Sequence, residues 1–481
     1  MESKRISYKL NEIVQLRNGA AIKQVFFTDS ELGIDLIKVS NFTDDSIDVS
    51  GVTKVDIEHA RKWRSHQIKS HDILVATVGS WPPNWSSVVG KVVRAPLSAH
   101  GAIQNQNTCC VIPNDNVDQS YIYYLLKTKS FSEWIVNVAQ GSANQARVPV
   151  KNIGEFIVDL PPLTEQKRVA GILNSLDAKI TLNRQINQTL EQIAQALFKC
   201  WFVDFEPVKA KMAVLEVGGS QQEATLAAMT AISGKDADAL VVFEREYPEQ
   251  YAELKTTAEL FPSAMQESEL GEIPAGWESS SLAKKIKLIG GGTPKRSEEN
   301  YWGGDIYWYS VKDAPTESNI FVIDTSEKIT LEGLNNSSAK LLPIGTTIIS
   351  ARGTVGKLAL TAVKTAMNQS CYGISGEKFS GQYLTYLKVK HCIDALKRNT
   401  HGAVFDTITT NTFDTVNVLT AGQKINNAFE KIITPLFEAI KSNLITNSYL
   451  SQLRDTLLPK LLSGEITLPE AEQTISEVEN V

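Results

Sequence analysis

Residues 163–202 read LTEQKRVAGILNSLDAKITLNRQINQTLEQIAQALFKCWF. Apolar and asparagine positions step by four and three through Val169, Leu173, Leu176, Ile180, Asn183, Asn187, Leu190, Ala194, Leu197 and Trp201. This is the narrow stripe of a helix that pairs along a seam. Pro161-Pro162 precede it, Thr164 reads as its N-cap and Glu165 suits its positive end. Lys167 stands where a full capping box needs an acid, and Pro207 marks the latest end. The same alternation recurs in Phe429, Ile432, Leu436, Ala439, Asn443, Thr446, Leu450, Leu453 and Leu457, with Gly464 as C-cap. Pro435 interrupts this second run. An interior proline costs about 3 kcal/mol, so the second helix is expected to kink there or to begin there. Asn187 and Asn443 place a register-setting amide in each seam. Each helix could instead cover its own globular domain. The narrowness, length and duplication of the seams favour an antiparallel pair, each helix of about 40 residues spanning about 60 Å.

The flanking sequence is duplicated as well. Leu10–Gly19 pairs with Leu282–Gly291, Val89-Gly90-Lys91 with Val355-Gly356-Lys357, Asn105-Gln106 with Asn368-Gln369, and Tyr121–Leu125 with Tyr383–Leu387. The order holds while the offset drifts, as loop insertions produce. Each copy mixes strand-like runs (Asp72–Val78, Thr346–Ser350) with helical ones (Tyr121–Val138, Tyr383–Arg398) before its long helix. The expected fold class is α+β: two mixed α/β domains separated by two long helices in an antiparallel coiled coil, with an internal pseudo-two-fold repeat. The expected boundaries are 1–160, a long helix at 161–206, a partly helical acidic linker at 207–270, a second domain at 271–420, a long helix at 421–465, and a C-terminal tail at 466–481.

With 481 residues, 42% hydrophobic composition and mean hydropathy −0.14, the chain can bury ordinary cores. No apolar run approaches a bilayer span, and no signal-peptide core follows the polar N-terminus, so a cytoplasmic protein with no membrane partner is expected. The net charge is −6, but residues 206–270 hold five Lys/Arg and twelve Asp/Glu, leaving about +1 elsewhere. An anionic ligand is therefore compatible with both domains. Cys109, Cys110, Cys200, Cys371 and Cys392 form no CxxC pair and read as free thiols. The histidine spacing predicts no metal site. A methyltransferase loop of the form [DNS]-P-P-[YFW] is absent, since Trp81-Pro82-Pro83-Asn84-Trp85 fails at both ends. Gly353-Thr354-Val355-Gly356-Lys357-Leu358 is too short for a phosphate-binding loop.

Four strings carry a family resemblance: Leu160–Gln166, Ala196–Phe205, Leu270–Trp277 and Leu453–Ile466. They resemble the conserved regions of type I restriction–modification specificity subunits, at the expected places and across essentially the whole chain. The copies diverge where Pro161–Gln166 becomes Leu419–Gln423. The resemblance implies two target recognition domains, each reading one half of a split, asymmetric site on double-stranded DNA. It implies a coiled coil that sets their spacing and docks two methyltransferase subunits, with two restriction/translocase subunits joining. It implies no catalysis and no cofactor in this chain; S-adenosylmethionine, ATP and Mg²⁺ would bind the partners. A self-contained nuclease or methyltransferase, or an adaptor that binds only proteins, are the competing readings.

Base edges are read by Arg, Lys, Asn and Gln, and phosphates are held by basic groups. The candidate DNA-binding residues in the first domain are Arg61, Arg64, Lys69, Lys91, Arg94, Asn144, Gln145 and Arg147; in the second they are Lys295, Arg296, Arg352 and Lys357, with the region around His401-Gly402. Each could equally serve only to solvate or brace the fold. Leu173, Leu176, Ile180, Asn187, Leu190, Leu197, Trp201, Leu436, Asn443, Leu450, Leu453 and Leu457 are the candidates for coil pairing and partner docking. The acidic stretch Asp236–Glu259 is expected to be helical and to lie away from phosphates.

Overall fold

A computed structural model describes residues 5–84, 87–315, 319–376, 379, 381–400 and 407–479. The chain divides into two compact units, Met1–Lys179 with Tyr449–Val481, and Ile180–Ser448.

In the first unit the order of the main antiparallel sheet is Val14–Asn18, Thr108–Pro113, Ile73–Ala76, Val92–Arg94. Every residue of Ile73–Ala76 is buried, as its unbroken apolar run requires of a strand covered on both faces. A second sheet sets Ile34–Ile37 parallel to Ile103–Gln104 and antiparallel to Lys54–Val55. Ile6–Lys9 pairs with Ile157–Leu160 just before the long helix starts. The helical run expected over Tyr121–Val138 is broken at Thr128. That residue caps Lys129–Val138 by accepting from Phe131 N after Gln119–Leu126 has ended.

The second unit repeats this plan. Lys287–Gly290, Cys371–Ser375, Thr347–Ser350 and Leu358–Thr361 follow in the same order, with Phe321–Val322 added at the edge. Trp302–Tyr309 runs parallel to Thr365–Met367 and antiparallel to Glu327–Ile329, and Glu278–Ser281 pairs with Asn417–Thr420. Individual hydrogen bonds repeat too. Ala76 N donates to Lys91 O at 2.9 Å, and Ser350 N to Lys357 O at 2.9 Å; Thr77 N donates to Asn107 O, and Ala351 N to Ser370 O. Gly19 and Gly291 are matched by necessity. A Cβ on either would sit 1.9 Å from the carbonyl oxygen of Asn105 or Asn368. Asn105 and Asn368 serve the fold: their side chains accept from Asn107 N and Ser370 N in matching turns.

The long helices are Leu163–Phe202 and Gln423–Ser463. The central helix begins directly after Pro162, so Thr164 lies inside it and is not its cap. The distal helix begins after Gly422, twelve residues before Pro435, and runs through that proline. Ile433 and Phe437, fully buried on either side, offset the proline's cost. Gly464 ends the helix at φ 79°, as a left-handed C-cap.

Within each unit the helices pack antiparallel, partner numbers falling as their own rise. Asp177 meets Arg454 in the first; Asn183 meets Asn447, Asn187 meets Asn443 and Trp201 meets Phe429 in the second. The central seam is as expected from Val169 to Trp201, except that Leu190 and Leu197 are half-buried while Glu191 and Phe198 are buried. The distal seam differs in phase. Its buried residues are Phe429, Ile433, Phe437, Ile440, Leu444, Asn447, Leu450, Leu457 and Leu461, whereas Leu436, Asn443 and Leu453 flank it half-buried and Ile432 is exposed. The cause is a second client: Phe437 stacks on Tyr383 of the second domain at 4.4 Å, so this helix buries a face wider than a two-residue seam.

The acidic segment is four helices, Glu206–Glu216, Gln221–Ser233, Ala237–Glu246 and Pro248–Glu259. Ser220 and Glu223 form a capping box, and Asp236 caps the third helix. Val208, Met229, Ile232, Leu240 and Phe261 join Trp201, Phe205 and Trp277 in one core. Glu216, Asp238, Glu244, Glu249 and Glu253 face solvent. Residues 468–479, expected as tail, are helical.

Candidate nucleic-acid interface

In the first domain, Gln140–Ser142 and Gln145–Arg147 form a hairpin that adds to Val78–Gly79. Ala146 is fully buried and anchors it, while Asn144, Gln145 and Arg147 project into solvent. The strand alternation separates anchor from readers. Trp81 Nε1 donates to Ser142 O at 2.8 Å, and Ser80 Oγ donates to Asn84 O at 2.9 Å. The loop after Val78–Gly79 is thereby strapped to the hairpin. Trp81 lies in the loop from Ser80 to Lys91, whose glycine and proline turns and terminal lysine mark it in the sequence as a place fit to meet DNA, though Trp81 itself is not singled out there.

Arg61, Arg64 and Lys69 are exposed and carry no ion pair among the described residues. Arg61 and Arg64 lie on the short helical segment Arg61–His66. Trp63, their aromatic neighbour, is half-buried and packs edge-on against Phe26 at 5.5 Å. Lys91 and Arg94 are placed differently. Lys91 has a side chain only 13% exposed and lies 3.7 Å from Asp44. Arg94 donates to Asn174 Oδ1 of the central helix at 2.8 Å and lies over the Tyr123 ring at 4.5 Å. These two brace the fold.

In the second domain, Arg352 and Lys357 are exposed on the loop after Thr347–Ser350, which occupies the topological place of the Trp81 loop. Ser350 Oγ accepts from Lys357 N at 2.8 Å, closing the loop base. Lys295 pairs with Glu298 at 2.8 Å, which raises its pKa above the usual lysine value. Arg296 is held by both oxygens of Glu327 and lies on Trp302 at 3.8 Å. That hydrogen bonding holds the Glu327 carboxyl below its ordinary range. Arg296 is thus engaged within its own domain. His401-Gly402 lies outside the described residues.

The side chains so presented are guanidinium, ammonium and amide groups. They can form bidentate hydrogen bonds with guanine and adenine edges or hold phosphates. The cysteines are free; burial pushes Cys109 and Cys371 up to about 12 and Cys200 and Cys392 up to about 11, far from a reactive thiolate. Among the described residues no cluster of three His, Cys, Asp or Glu is placed to hold a metal, and no helix is long and apolar enough to cross a membrane.

Two copies of one α/β domain, each with a polar loop surface and joined to paired helices, define a duplicated recognition scaffold. The chain belongs to the family of the type I restriction modification DNA specificity domain, whose model matches residues 4–192 and 274–448. The two matches coincide with the two copies and leave the acidic helices outside. The chain is 34% identical over 408 residues to the type I restriction enzyme HindI specificity subunit of Haemophilus influenzae, covering 83% of this chain and 87% of that one. It is 24% identical over 384 residues to the MjaIX specificity subunit of Methanocaldococcus jannaschii, covering 79% and 75%. A solved type I restriction–modification S subunit from M. genitalium aligns over 96% of each chain at 14% identity and TM-score 0.48.

Proposed function

We propose that this chain is the DNA-recognition subunit of a type I restriction–modification enzyme, and that each domain reads one half of a split, asymmetric site on duplex DNA. One observation carries the reading. The two domains share strand order and individual backbone hydrogen bonds, yet present different side chains at their loops: Asn144, Gln145 and Arg147 in one, Arg352 and Lys357 in the other. A common frame with different reading groups suits two different half-sites.

The paired helices hold the spacing and dock two methyltransferase subunits. Leu182, Ile186 and Ile193 on the central helix and Ile445 on the distal one remain exposed and are the apolar contacts on offer. Two restriction subunits complete the assembly. The chemistry resides in the partners, which bind S-adenosylmethionine, ATP and Mg²⁺; this chain catalyses nothing. The acidic helices face away from phosphates.

Mapping methylated bases in the host genome tests the reading. The expected result is a two-part motif with a fixed gap, and one uninterrupted motif would overturn it. A parallel assay incubates the purified chain alone with DNA and either labelled S-adenosylmethionine or Mg²⁺. No turnover is expected, and methyl transfer or cleavage would point to a self-contained enzyme.

A further inference from the structure

The asparagine cluster of the second unit defines a pseudo-dyad. Asn183 Nδ2 donates to Asn447 Oδ1, and Asn443 Nδ2 to Asn187 Oδ1; Asn187 Nδ2 donates to Ile440 O, and Asn447 Nδ2 to Ile180 O. Each bond is its counterpart shifted by 260 residues (443 − 183). The pairing thus superimposes one long helix on the other, position by position.

Against that symmetry the first unit holds an exception. Arg454 of the distal helix has a side chain only 14% exposed. Its Nη1 donates to Asp177 Oδ1 of the central helix at 2.8 Å and stands 3.6 Å from Asp45 Oδ2 of the first domain. Asp45 also accepts from Lys127 at 2.8 Å, and Asp177 accepts from the Tyr124 hydroxyl at 2.7 Å. Arg94 closes the network, 3.5 Å from Asp177 and hydrogen-bonded to Asn174. One guanidinium therefore ties three bodies: the domain and both helices.

Shifted along the sequence by the same 260 residues, Arg454 corresponds to Ala194 and Asp177 to Phe437. The second unit joins its domain by a different set of contacts, with no arginine at this place: Glu430 accepts from Tyr383 N at 3.0 Å and Leu384 N at 2.8 Å, beside an aromatic stack. Phe437 stacks on Tyr383 and meets Tyr386 at 5.9 Å and Phe321 at 6.5 Å, with the Glu438–Tyr383 and Lys390–Glu191 contacts flanking this stack. A half-buried guanidinium between carboxylates is directional, and its partners fix an angle.

We propose that Arg454 is a positioning residue for the first recognition domain. It fixes the angle at which that domain leaves the paired helices, and so governs discrimination at one half-site and not the other. This rests on the split-site reading above. Base readout depends on hydrogen-bond geometry, so a small rotation at the joint is enough to spoil it.

The test uses the chain assembled with its methyltransferase subunits, with Arg454→Met and Arg454→Lys. Methylation rates are measured on duplexes carrying one base-pair change in either half-site. Arg454→Met is expected to lose at least about fivefold of its discrimination at one half-site, the lower end of what a mismatched pair costs. The other half-site should hold within about twofold, and Arg454→Lys, which keeps the charge but loses the planar fork, should recover only part of the loss. Equal loss at both half-sites, or none at either, overturns the role of Arg454. If Arg454→Met does not assemble, Asp45→Ala removes the link from the domain side, leaves the Arg454–Asp177 pair in place, and is judged by the same outcomes. A wild-type complex that reads one uninterrupted site overturns the proposed function instead.

Discussion

Four residues test the structure singly. Asn187 accepts from Asn443 in the buried coil, so Asn443→Leu leaves the Asn187 oxygen without that partner. A loss of about 1–3 kcal/mol is expected by denaturant unfolding, and the Asn187→Leu/Asn443→Leu double variant should recover part of it. Lys388 is buried among Phe198, Phe202 and Phe379 and donates to Leu419 O at 2.9 Å. Burial lowers its pKa to about 8. Between about 8 and the ordinary lysine value the unfolded chain binds the extra proton, so stability should rise with pH across that window and be lost as pH falls through 8. Unfolding midpoints at pH 7 and pH 9.5 measure this; Lys388→Met should flatten the difference, and a wild type with no such rise contradicts the depressed pKa. Arg147→Ala should relax discrimination at one base position by about 1–3 kcal/mol, whereas Lys357→Ala should weaken binding across sequences and reduce its salt slope. The difference between such residues and Arg94 was not legible in the sequence. All are basic, but Arg94 meets Asn174 and Asp177, and only the fold brings those residues within reach.

At the scale of elements, the helices divide into what local periodicity predicts and what it does not. The central seam follows its four–three spacing, departing from it only where Glu191 and Phe198 are buried in place of Leu190 and Leu197. The distal seam slips by one position between Ile433 and Asn447 because a domain packs on it as well, a demand that no heptad count contains. Pro435 marked a boundary by propensity, and tertiary burial overrode it. Leu450, 3% exposed, should tolerate aspartate poorly: a loss of several kcal/mol and failure to co-purify with methyltransferase subunits are expected. Leu190 is half-buried, so the same change there should cost less. Equal effects at the two sites would contradict the observed seam.

At the scale of the whole molecule, the proposed function makes the two helices a spacer. Inserting four residues in each, about one turn and 6 Å, should change the gap tolerated between half-sites. Methylation of duplexes with graded gaps reads this directly, and an unaltered preference would remove the spacer role.

The sequence by itself determined the duplication, the two long helices, their antiparallel partnership and the family. Those features are written in order and in short-range spacing, where residues three and four apart share a face and motifs keep their sequence. Only the tertiary structure decided which cations meet a partner within the chain. Lys91, Arg94 and Arg296 are engaged by Asp44, by Asp177 and by Glu327, partners 47, 83 and 31 positions away. A charge is committed by what lies within a few ångströms of it, and that distance is set by the packing of the whole chain.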